Sequence, residues 1–461
     1  MVNRRTTSRR NVLRSAGALA AASAASACGV LPDGTKRAFV PDVSAAGEIR
    51  LSVWGDVSDA AIYEEVLDTW HRRQNKYRAR AEQYTGNYYD KVLANFAGSI
   101  PADVIYFQGW HFQPYAESNV LQPLDEFIER DGLQARWPKL PTFRDYTQWR
   151  GRTYMAPVDG GSIVMLYNKD IFDERGVPYP SPDWTWDDFV EMVPKLTFKK
   201  GATKYYGFAQ AGGWLGGYGR AVGFMRRNGH VEWDRIVEPT EQRWQHEDVV
   251  SALQFTLVDC LRNRWAPGPS AVAGGGISFA TGKVALTPEG PWYLPNLHGP
   301  LATTKAGINY DVVGLPLGER NPVRNSWSLV HGHVMSAQSK NKEAAWDLIK
   351  FITSDEGQEI VARGGRMCAT PANIKNIWAP IAGKAFNFSH TDAFADSQAG
   401  GVVPMIMGQG SPISADGGEP LDSVWTALEL ADRTAEQILA EYGPGVQAVL
   451  DDYWASRARS K

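Results

Sequence analysis

Aromatic and planar polar residues follow the ends of two segments that have the pattern of β-strands. Trp54 closes the alternating segment 48–54 and Asp56 follows it, while Gln108 and Trp110 follow the apolar segment 102–107. Ligands of parallel α/β sheets bind beyond the carboxyl ends of the strands. Aromatic faces stack on the C–H patches of sugar rings, and planar polar groups hydrogen-bond to hydroxyls. The four residues therefore predict one wall of a site for a hydroxyl-rich ligand, although Asp56 is explained equally well as a first-turn acid of a helix.

Further tryptophans lie beside glycine and proline instead of within apolar periodic runs. The chain has 17 tryptophans in 461 residues, and most of them must pack in the core. Trp214 and Tyr218 lie in the glycine-rich segment 212–218, and Trp292 follows Gly290 and Pro291. Glycine lets the backbone approach a ligand closely. We therefore expect Trp292, Trp214 and Tyr218 to face a ligand. Packing between two domains is the alternative for Trp292, and a merely flexible loop is the alternative for segment 212–218.

Strand-like and helix-like segments alternate along the chain, which predicts an α/β fold with parallel strands. About 430 residues after the N-terminal segment exceed one ordinary core, so two domains are expected. The predicted strands are 48–54, 78–84, 102–107, 162–167, 283–287, 310–313 and 332–336. The predicted helices include 89–96, 187–196 with Thr185 as N-cap, 248–262, 343–353, 421–431 and 434–442.

The N-terminus has the layout of an export signal. Residues 1–27 contain five arginines and no acidic residue, and a small-residue apolar stretch precedes Cys28. The run SRRNVLR at 8–14 resembles a twin-arginine signal. ASAC at 25–28 resembles a lipobox whose leucine is replaced by Ala25, with an ordinary cleavage site as the alternative. We predict a signal peptide over 1–27, lipidation of Cys28 and a flexible tether over 28–47.

Charge and cysteine content narrow the function further. Loss of the five N-terminal arginines leaves 43 basic against 51 acidic residues, a charge of about −8 that disfavours nucleic-acid binding. No later stretch has the uninterrupted apolar length of a membrane-spanning helix. Cys260 and Cys368 form either one disulfide or two buried thiols.

Catalytic and metal-binding patterns are lacking. The sequence has no GxSxG, no HExxH and no catalytic cysteine signature. His331 and His333 lack a third metal ligand nearby, and the glycines at 274–276 do not have the spacing of a phosphate-binding loop. We expect no metal, no cofactor and no enzymatic activity. An exported glycan hydrolase, which would need two carboxylates beside the same aromatic residues, is the alternative from another class.

Four motifs in order resemble the extracellular solute-binding proteins of the maltose-binding type, the carbohydrate receptors of ABC importers. They cover most of the chain from 48 to 440. The motifs are ADVIYF (102–107) with YAESNVLQPL (115–124); YMAP (154–157) and LYNKD (166–170) with WTWDDF (184–189); FATGKVALTPEGPW (279–292); and NKEAAW (341–346) with FITSDEG (351–357).

The resemblance implies the periplasmic-binding-protein fold, in which two α/β lobes are joined by a hinge and clamp the ligand in the cleft between them. By family topology the N-lobe takes 48–156 and 314–353, and the C-lobe takes 157–313 and 354–461. It also implies a monomer that is lipid-anchored to the outer face of the cell membrane. Its expected partners are a carbohydrate and the permease subunits of an importer. Relatives that take glycerophosphodiesters, polyols or amino sugars leave those ligands as alternatives.

The same resemblance adds site residues. The tryptophan that matches Trp292 stacks on a sugar ring in the family, and the segment of Trp214 and Tyr218 matches a region of ligand contacts. Asp159 lies near a position where the maltose receptor has an acidic contact. Trp327, His331 and Arg366 are further expected contacts at the cleft edges. Trp425 is an expected contact in the C-terminal segment, and core packing is the alternative for it.

Overall fold

The computed structural model describes residues 48–55, 57–84, 86–273, 276–299, 302–305, 307–320 and 324–459. The predicted signal peptide, the tether with Cys28, and Asp56 lie outside these residues. The strands are β1 (Glu48–Trp54), β2 (Arg78–Tyr84), β3 (Val104–Gln108), β4 (Leu121–Gln122), β5 (Gln148–Trp149), β6 (Arg152–Thr153), β7 (Met155–Ser162), β8 (Val164–Asn168), β9 (Phe198–Lys200), β10 (Thr203–Phe208), β11 (Val284–Glu289), β12 (Tyr310–Val313), β13 (Ser326–Ser336), β14 (Met367–Cys368) and β15 (Gly401–Val402).

Helices cover both sheets. They are α1 (Val57–Arg73), α2 (Tyr88–Ala97), α3 (Gln113–Glu117), α4 (Asp125–Arg130), α5 (Pro141–Thr147), α6 (Lys169–Arg175), α7 (Trp186–Lys195), α8 (Gly219–Met225), α9 (Glu247–Leu253), α10 (Cys260–Arg262), α11 (Pro269–Ala273), α12 (Lys342–Ile352), α13 (Asp355–Arg363), α14 (Pro371–Asn373), α15 (Ala379–Phe386), α16 (Asp392–Ala399), α17 (Leu421–Leu430) and α18 (Ala435–Arg459). Three segments are π-helical, Trp214–Tyr218, Gln254–Asp259 and Ile374–Trp378, and Pro291–Asn296 is a 3₁₀-helix.

The first sheet has the strand order β14-β7-β13-β3-β1-β2, and β15 and β4 also pair with β13. Strand β1 runs parallel to β2 and β3, as the alternation of strands and helices predicts. Strand β13 runs antiparallel to β3 and β7, so the sheet is mixed and not purely parallel. The reason is that β13 arrives from the second sheet through a long connection and not through a helical crossover.

The second sheet has the order β12-β8-β11-β10-β9. Strands β10 and β11 are parallel, so their carboxyl ends point to the same side of the sheet. Strand β8 runs antiparallel to β11 and to β12. Thr185 caps α7 with the reciprocal hydrogen bonds of a capping box, which confirms the predicted N-cap.

The chain passes between the two sheets near Ile163, where β7 of the first sheet is followed by β8 of the second. It returns between β12 and β13. Helix α13 then packs against α1 in the core of the first lobe, so the last passage follows Arg363. The lobe boundaries at 156/157, 313/314 and 353/354 remain a proposal. Strands β7 and β14 both pair within the first sheet, and they extend several residues past the first and the last of these boundaries.

Cys260 and Cys368 are buried free thiols and do not form a disulfide, which decides between the two states that the sequence left open. They belong to different hydrophobic clusters, one on each side of the second sheet. Within the described part of the chain, no helix is long and apolar enough to cross a membrane.

Candidate functional site

A cavity of about 460 Å³ has walls from both lobes. The first lobe contributes the ends of β1 and β3 and the middle of β7 and β13, and the second lobe contributes α8 and the segment after β11. This volume lies within the range of small-molecule sites, and the position beyond strand ends is the expected one for α/β sheets.

Two tryptophans, one from each lobe, line this cavity. Trp54 ends β1 and is 37% exposed, and Trp292 follows β11 and is 44% exposed. Among the described residues they are the two exposed tryptophans, and Leu215, 36% exposed, lines the same cavity. Large apolar side chains that stay exposed inside a concave site indicate a ligand surface.

Two glycines fix the position of the Trp292 indole. A Cβ atom at Gly161 would lie 2.6 Å from Cζ3 of Trp292, and one at Gly290 would lie 2.3 Å from Cη2. Real Cβ atoms do not make such contacts, so a larger residue at either position would displace the indole. The indole is therefore held against the backbone of β7, which belongs to the other lobe.

Arg220 supports Trp292 from the second lobe. Its guanidinium carbon lies 5.8 Å from the centroid of the indole ring, within the range of a cation–π contact. Arg220 donates two hydrogen bonds to the Glu289 carboxylate, at 2.6 and 3.1 Å, and one to the Gly216 carbonyl oxygen at 2.9 Å. One buried arginine thus connects the end of β11, the segment with Leu215 and the exposed tryptophan.

Arg366 plays the corresponding part in the first lobe. Its Nε donates to the Asp59 carboxylate at 2.6 Å, and its Nη1 donates to the Asp159 carboxylate and, at 3.1 Å, to the Tyr106 hydroxyl. Tyr106 in turn donates to Asp159 at 3.0 Å. Burial and the charge of Asp159 raise the pKa of Tyr106 well above its ordinary value, so this hydroxyl keeps its proton. The guanidinium carbon lies 5.9 Å from the Trp54 ring.

Two histidines of β13 lie against this charged group. Burial lowers the pKa of His331 and of His333 from the ordinary 6.5 to about 4, although the charge of Asp159 acts in the opposite direction. Both rings are therefore neutral at pH 7. His331 lines the cavity, whereas both ring nitrogens of His333 are buried without a described hydrogen-bond partner.

Trp110 and Trp327 form the inner end of the cavity with their ring centroids 5.9 Å apart. The Trp110 indole donates to the Asp416 carboxylate at 2.8 Å, and the other oxygen of Asp416 lies 2.8 Å from His111 Nε2. Trp327 donates to the Tyr146 hydroxyl at 3.2 Å. These bonds fix both indoles, so they supply a rigid surface.

The structure brings eight of the sequence-predicted residues to the lining of this cavity: Trp54, Gln108, Trp110, Asp159, Trp292, Trp327, His331 and Arg366. Their contact with a ligand remains a prediction.

Three further residues that the sequence predicts as ligand contacts lie outside the cavity lining and are buried: Trp214, Tyr218 and Trp425. Trp214 stacks on Tyr218 with centroids 4.4 Å apart and meets Trp425 edge-on, and its indole donates to the Ala415 carbonyl oxygen at 3.1 Å. The structure gives these side chains a packing role in the second lobe.

Sequence reasoning missed Asp59, Tyr106, Leu215, Arg220 and Asp416. One signal could have identified Arg220. It is the single charged residue in the otherwise apolar run GRAVGFM at 219–225, and a charge in such a run requires a buried partner. Asp416 has no such signal, because its contact with Trp110 joins residues 306 positions apart.

The lining offers little for catalysis or metal binding. Among the described lining residues the carboxylates are Asp59 and Asp159, and both are hydrogen-bonded to Arg366. No group of three or more potential metal ligands occurs in the described ranges. The arrangement can stack a ring between aromatic faces and hydrogen-bond its polar edge.

Two α/β lobes with a cavity between their strand ends define the two-lobed fold of periplasmic binding proteins. The sequence profile of the bacterial extracellular solute-binding proteins matches residues 54–359, and the chain belongs to this family.

Individual relatives are distant. A maltotriose-binding protein of Pyrococcus abyssi is 25% identical over 266 residues, which cover 56% of this chain and 52% of that protein. The aligned part thus spans about half the length of that relative. An erythritol/L-threitol-binding protein of Mycolicibacterium smegmatis is 25% identical over 410 residues, covering 78% of this chain and 80% of that protein. The structure of an ABC substrate-binding protein from Listeria monocytogenes in complex with cycloalternan superposes with a TM-score of 0.68 at 20% identity, over 88% of this chain and 99% of that one.

Replacing Arg366 by methionine should lower the free energy of unfolding by about 3–5 kcal/mol, because it leaves the Asp159 carboxylate buried without its cation. Urea denaturation at pH 7 measures the loss. Adding D159N to R366M should recover part of it, because the uncompensated charge is then removed.

The matched control is R73M, which breaks the exposed Arg73–Glu356 pair of 2.7 Å. Exposed ion pairs contribute little, so this variant should unfold nearly as the wild type does. Equal losses for R73M and R366M would contradict the buried network.

Acid should destabilise the protein through the two histidines. Between about pH 6.5 and pH 4 the unfolded state binds protons that neutral His331 and His333 do not, so stability falls as the pH falls. Each histidine accounts for about 1.4 kcal/mol per pH unit in this window. The H333F variant should lose one histidine's share of the slope, measured by urea denaturation at several pH values. An unchanged slope would show that His333 is not held neutral.

Proposed function

We propose that the protein is the substrate-binding component of an ABC importer, which captures a mono- or oligosaccharide between its lobes and delivers it to the membrane permease. The observation that carries the proposal is the pair of exposed tryptophans, Trp54 and Trp292, that line one cavity from opposite lobes. Sugar rings present C–H patches on their faces, which suit two such indoles.

Polar groups at the same cavity suit hydroxyls. The Gln108 side chain accepts a hydrogen bond from Tyr89 at 3.2 Å, and its amide nitrogen donates to no other described residue. The Nη2 atom of Arg366 also lacks a partner in the described part of the chain, whereas the Nε and Nη1 atoms are occupied. Both groups are donors that a sugar hydroxyl can satisfy. We place the eight cavity-lining residues predicted from the sequence among the ligand contacts.

The named ligands of relatives support this class. The relatives are named for maltotriose and for erythritol or L-threitol, and the superposed structure contains cycloalternan. A small polyol is the second candidate ligand, because the erythritol/L-threitol-binding relative aligns over more of both chains than the maltotriose-binding one.

Charge pairing in the cavity disfavours both a phosphodiester ligand and a hydrolase. A glycerophosphodiester needs a cation free to bind its phosphate. Both arginines of the described lining, Arg220 and Arg366, are instead paired with carboxylates. A glycan hydrolase needs a protonated carboxyl group as general acid, and Asp59 and Asp159 both accept hydrogen bonds from Arg366. We therefore infer a receptor without enzymatic activity.

A thermal-shift screen of the chain from residue 46 onward tests the proposal. The panel holds maltotriose, glucose, erythritol, glucosamine and glycerophosphocholine. A ligand that binds only the folded state raises the melting temperature. We expect a rise with a saccharide or polyol that is recovered unchanged. A rise only with glycerophosphocholine would change the assigned ligand class to phosphodiesters. Turnover of any compound would contradict the proposal that the protein is a receptor without enzymatic activity.

The variant W292A should weaken binding of the best saccharide at least tenfold, about 1.4 kcal/mol, because one stacking face is lost. Isothermal titration calorimetry measures the affinity. The matched control is Y179A, since Tyr179 is 42% exposed and lies outside the cavity. Equal affinity of W292A and Y179A for the saccharide would contradict the stacking role of Trp292.

Members of this family act outside the cytoplasm, and we propose that this one is exported by a twin-arginine signal and acts as a lipid-anchored monomer at the outer face of the membrane. The proposal rests on residues 1–28. Mass spectrometry of detergent-extracted protein should find lipid-modified Cys28 as the first residue, and the C28A variant should be released into the medium. An unmodified chain that keeps residues 1–27 would contradict both export and anchoring.

A further inference from the structure

A second cavity, of about 270 Å³, lies in the second lobe beside the segment after β10. Most of its wall is aliphatic and includes Leu257, Leu261, Pro267 and Val272. Gly212 lines this second cavity and Leu215 lines the first, so segment 211–216 contributes to the walls of both.

The strand register places the second cavity on the ligand-binding edge of the sheet. Strands β10 and β11 are parallel, with Phe208 level with Leu286. Gln210 therefore follows the carboxyl end of β10 on the same edge where Glu289 ends β11. Carboxyl ends of parallel strands are the usual position of ligands in α/β sheets.

Gln210 is the polar group that the fold leaves unsatisfied there. Both Nε2 and Oε1 of its carboxamide are buried and have no hydrogen-bond partner among the described residues. The buried amides of Gln113 and Gln398 differ, because each keeps its donor bonded and lacks only a partner for its oxygen. A buried polar group without a partner destabilises a protein by about 1–3 kcal/mol, so a fully unpaired carboxamide that lines a cavity requires an explanation.

Glu429 supplies the only charge of the described lining of this cavity. Its Oε1 accepts a hydrogen bond from the Gly213 backbone at 2.8 Å, and its second oxygen has no partner in the described ranges. A free acceptor in the same cavity lining as Gln210 favours a ligand that brings hydroxyl donors, and the charge of Glu429 repels carboxylates and phosphates.

We propose that this cavity is a second ligand site, which takes a small neutral molecule with a vicinal diol, a short polyol, on the carboxamide of Gln210. On binding, the Gln210 side chain turns its carboxamide into the cavity. One hydroxyl then donates to Oε1, its neighbour accepts from Nε2, a further hydroxyl donates to Glu429, and the C–H face packs on the aliphatic wall. The volume corresponds to about nine water molecules at roughly 30 Å³ each, which accommodates a four-carbon polyol. The site goes beyond the proposed function, since it shares no lining residue with the first cavity, which Trp54 and Trp292 line.

Erythritol and 1,4-butanediol test the proposal. Both have four carbons and two terminal hydroxyls, but only erythritol has vicinal pairs. Saturation-transfer NMR is recorded with the W292A variant, in which the first cavity has lost its stacking face. We expect erythritol to bind and 1,4-butanediol to bind at least tenfold more weakly. Equal binding of the two, or loss of erythritol binding in W292A alone, would overturn the site.

The second variant is Q210L in the W292A background, which replaces the unpaired carboxamide by an aliphatic side chain of similar size. Erythritol binding should disappear while the melting temperature stays the same or rises. If Q210L fails to fold, Q210M keeps an unbranched side chain and takes its place. Erythritol binding that survives in the folded double variant would overturn the proposal, as would a crystal structure with erythritol that shows only water at Gln210. Because every arm is read in W292A, failure of the saccharide screen leaves this test intact.

Discussion

The cavity depends on one half-buried guanidinium, that of Arg366. It reaches Asp59 on α1, Asp159 on β7 and the Tyr106 hydroxyl on β3, and it follows α13 directly before the two-residue strand β14. Breaking a buried ion pair costs far more than an exposed one. The four elements are therefore stable together only in the arrangement that gives both carboxylates their shared cation. That arrangement places the guanidinium beside Trp54, where Arg366 lines the cavity.

The two walls of the cavity use the same device. In each lobe an arginine is fixed by carboxylates and lies just under 6 Å from the ring of an exposed tryptophan, Arg366 beside Trp54 and Arg220 beside Trp292. A cation near an aromatic ring holds it by attraction to the ring quadrupole. Each exposed indole is thereby held without being buried, and its free surface stays available for a ligand.

Local sequence patterns predicted the elements whose ends carry the site, and distant contacts explain the failures. Strands β1 and β2 have the predicted bounds, because their alternation is a local property. Strand β7 was missed, since MAPVDGGS contains a proline and two glycines. The fold accommodates Pro157 because the register of β7 and β13 shifts beside it, between His331 and Gly332. Helix α18 continues through Pro444 to Arg459, well beyond the predicted end at 442. The sequence shows that Trp214 and Trp292 both lie beside turns, but only the fold shows that Trp214 is covered by the distant residues Ala415 and Trp425.

Magnitudes decide which groups select the ligand. A tryptophan can bury about 150–250 Å², so the exposed parts of Trp54 and Trp292, 37% and 44%, offer roughly 120–200 Å² together. At about 25 cal/mol per Å² this contributes about 3–5 kcal/mol, whereas micromolar binding needs about 8 kcal/mol after the entropy of association is offset. A hydrogen bond contributes about 0.5–1.5 kcal/mol between neutral groups and about 1.5–3 kcal/mol to a charged group such as Arg366, so the polar contacts must supply the difference. The tryptophans therefore favour any flat ring with C–H faces, and discrimination between hydroxyl patterns falls to Gln108, His331 and Arg366.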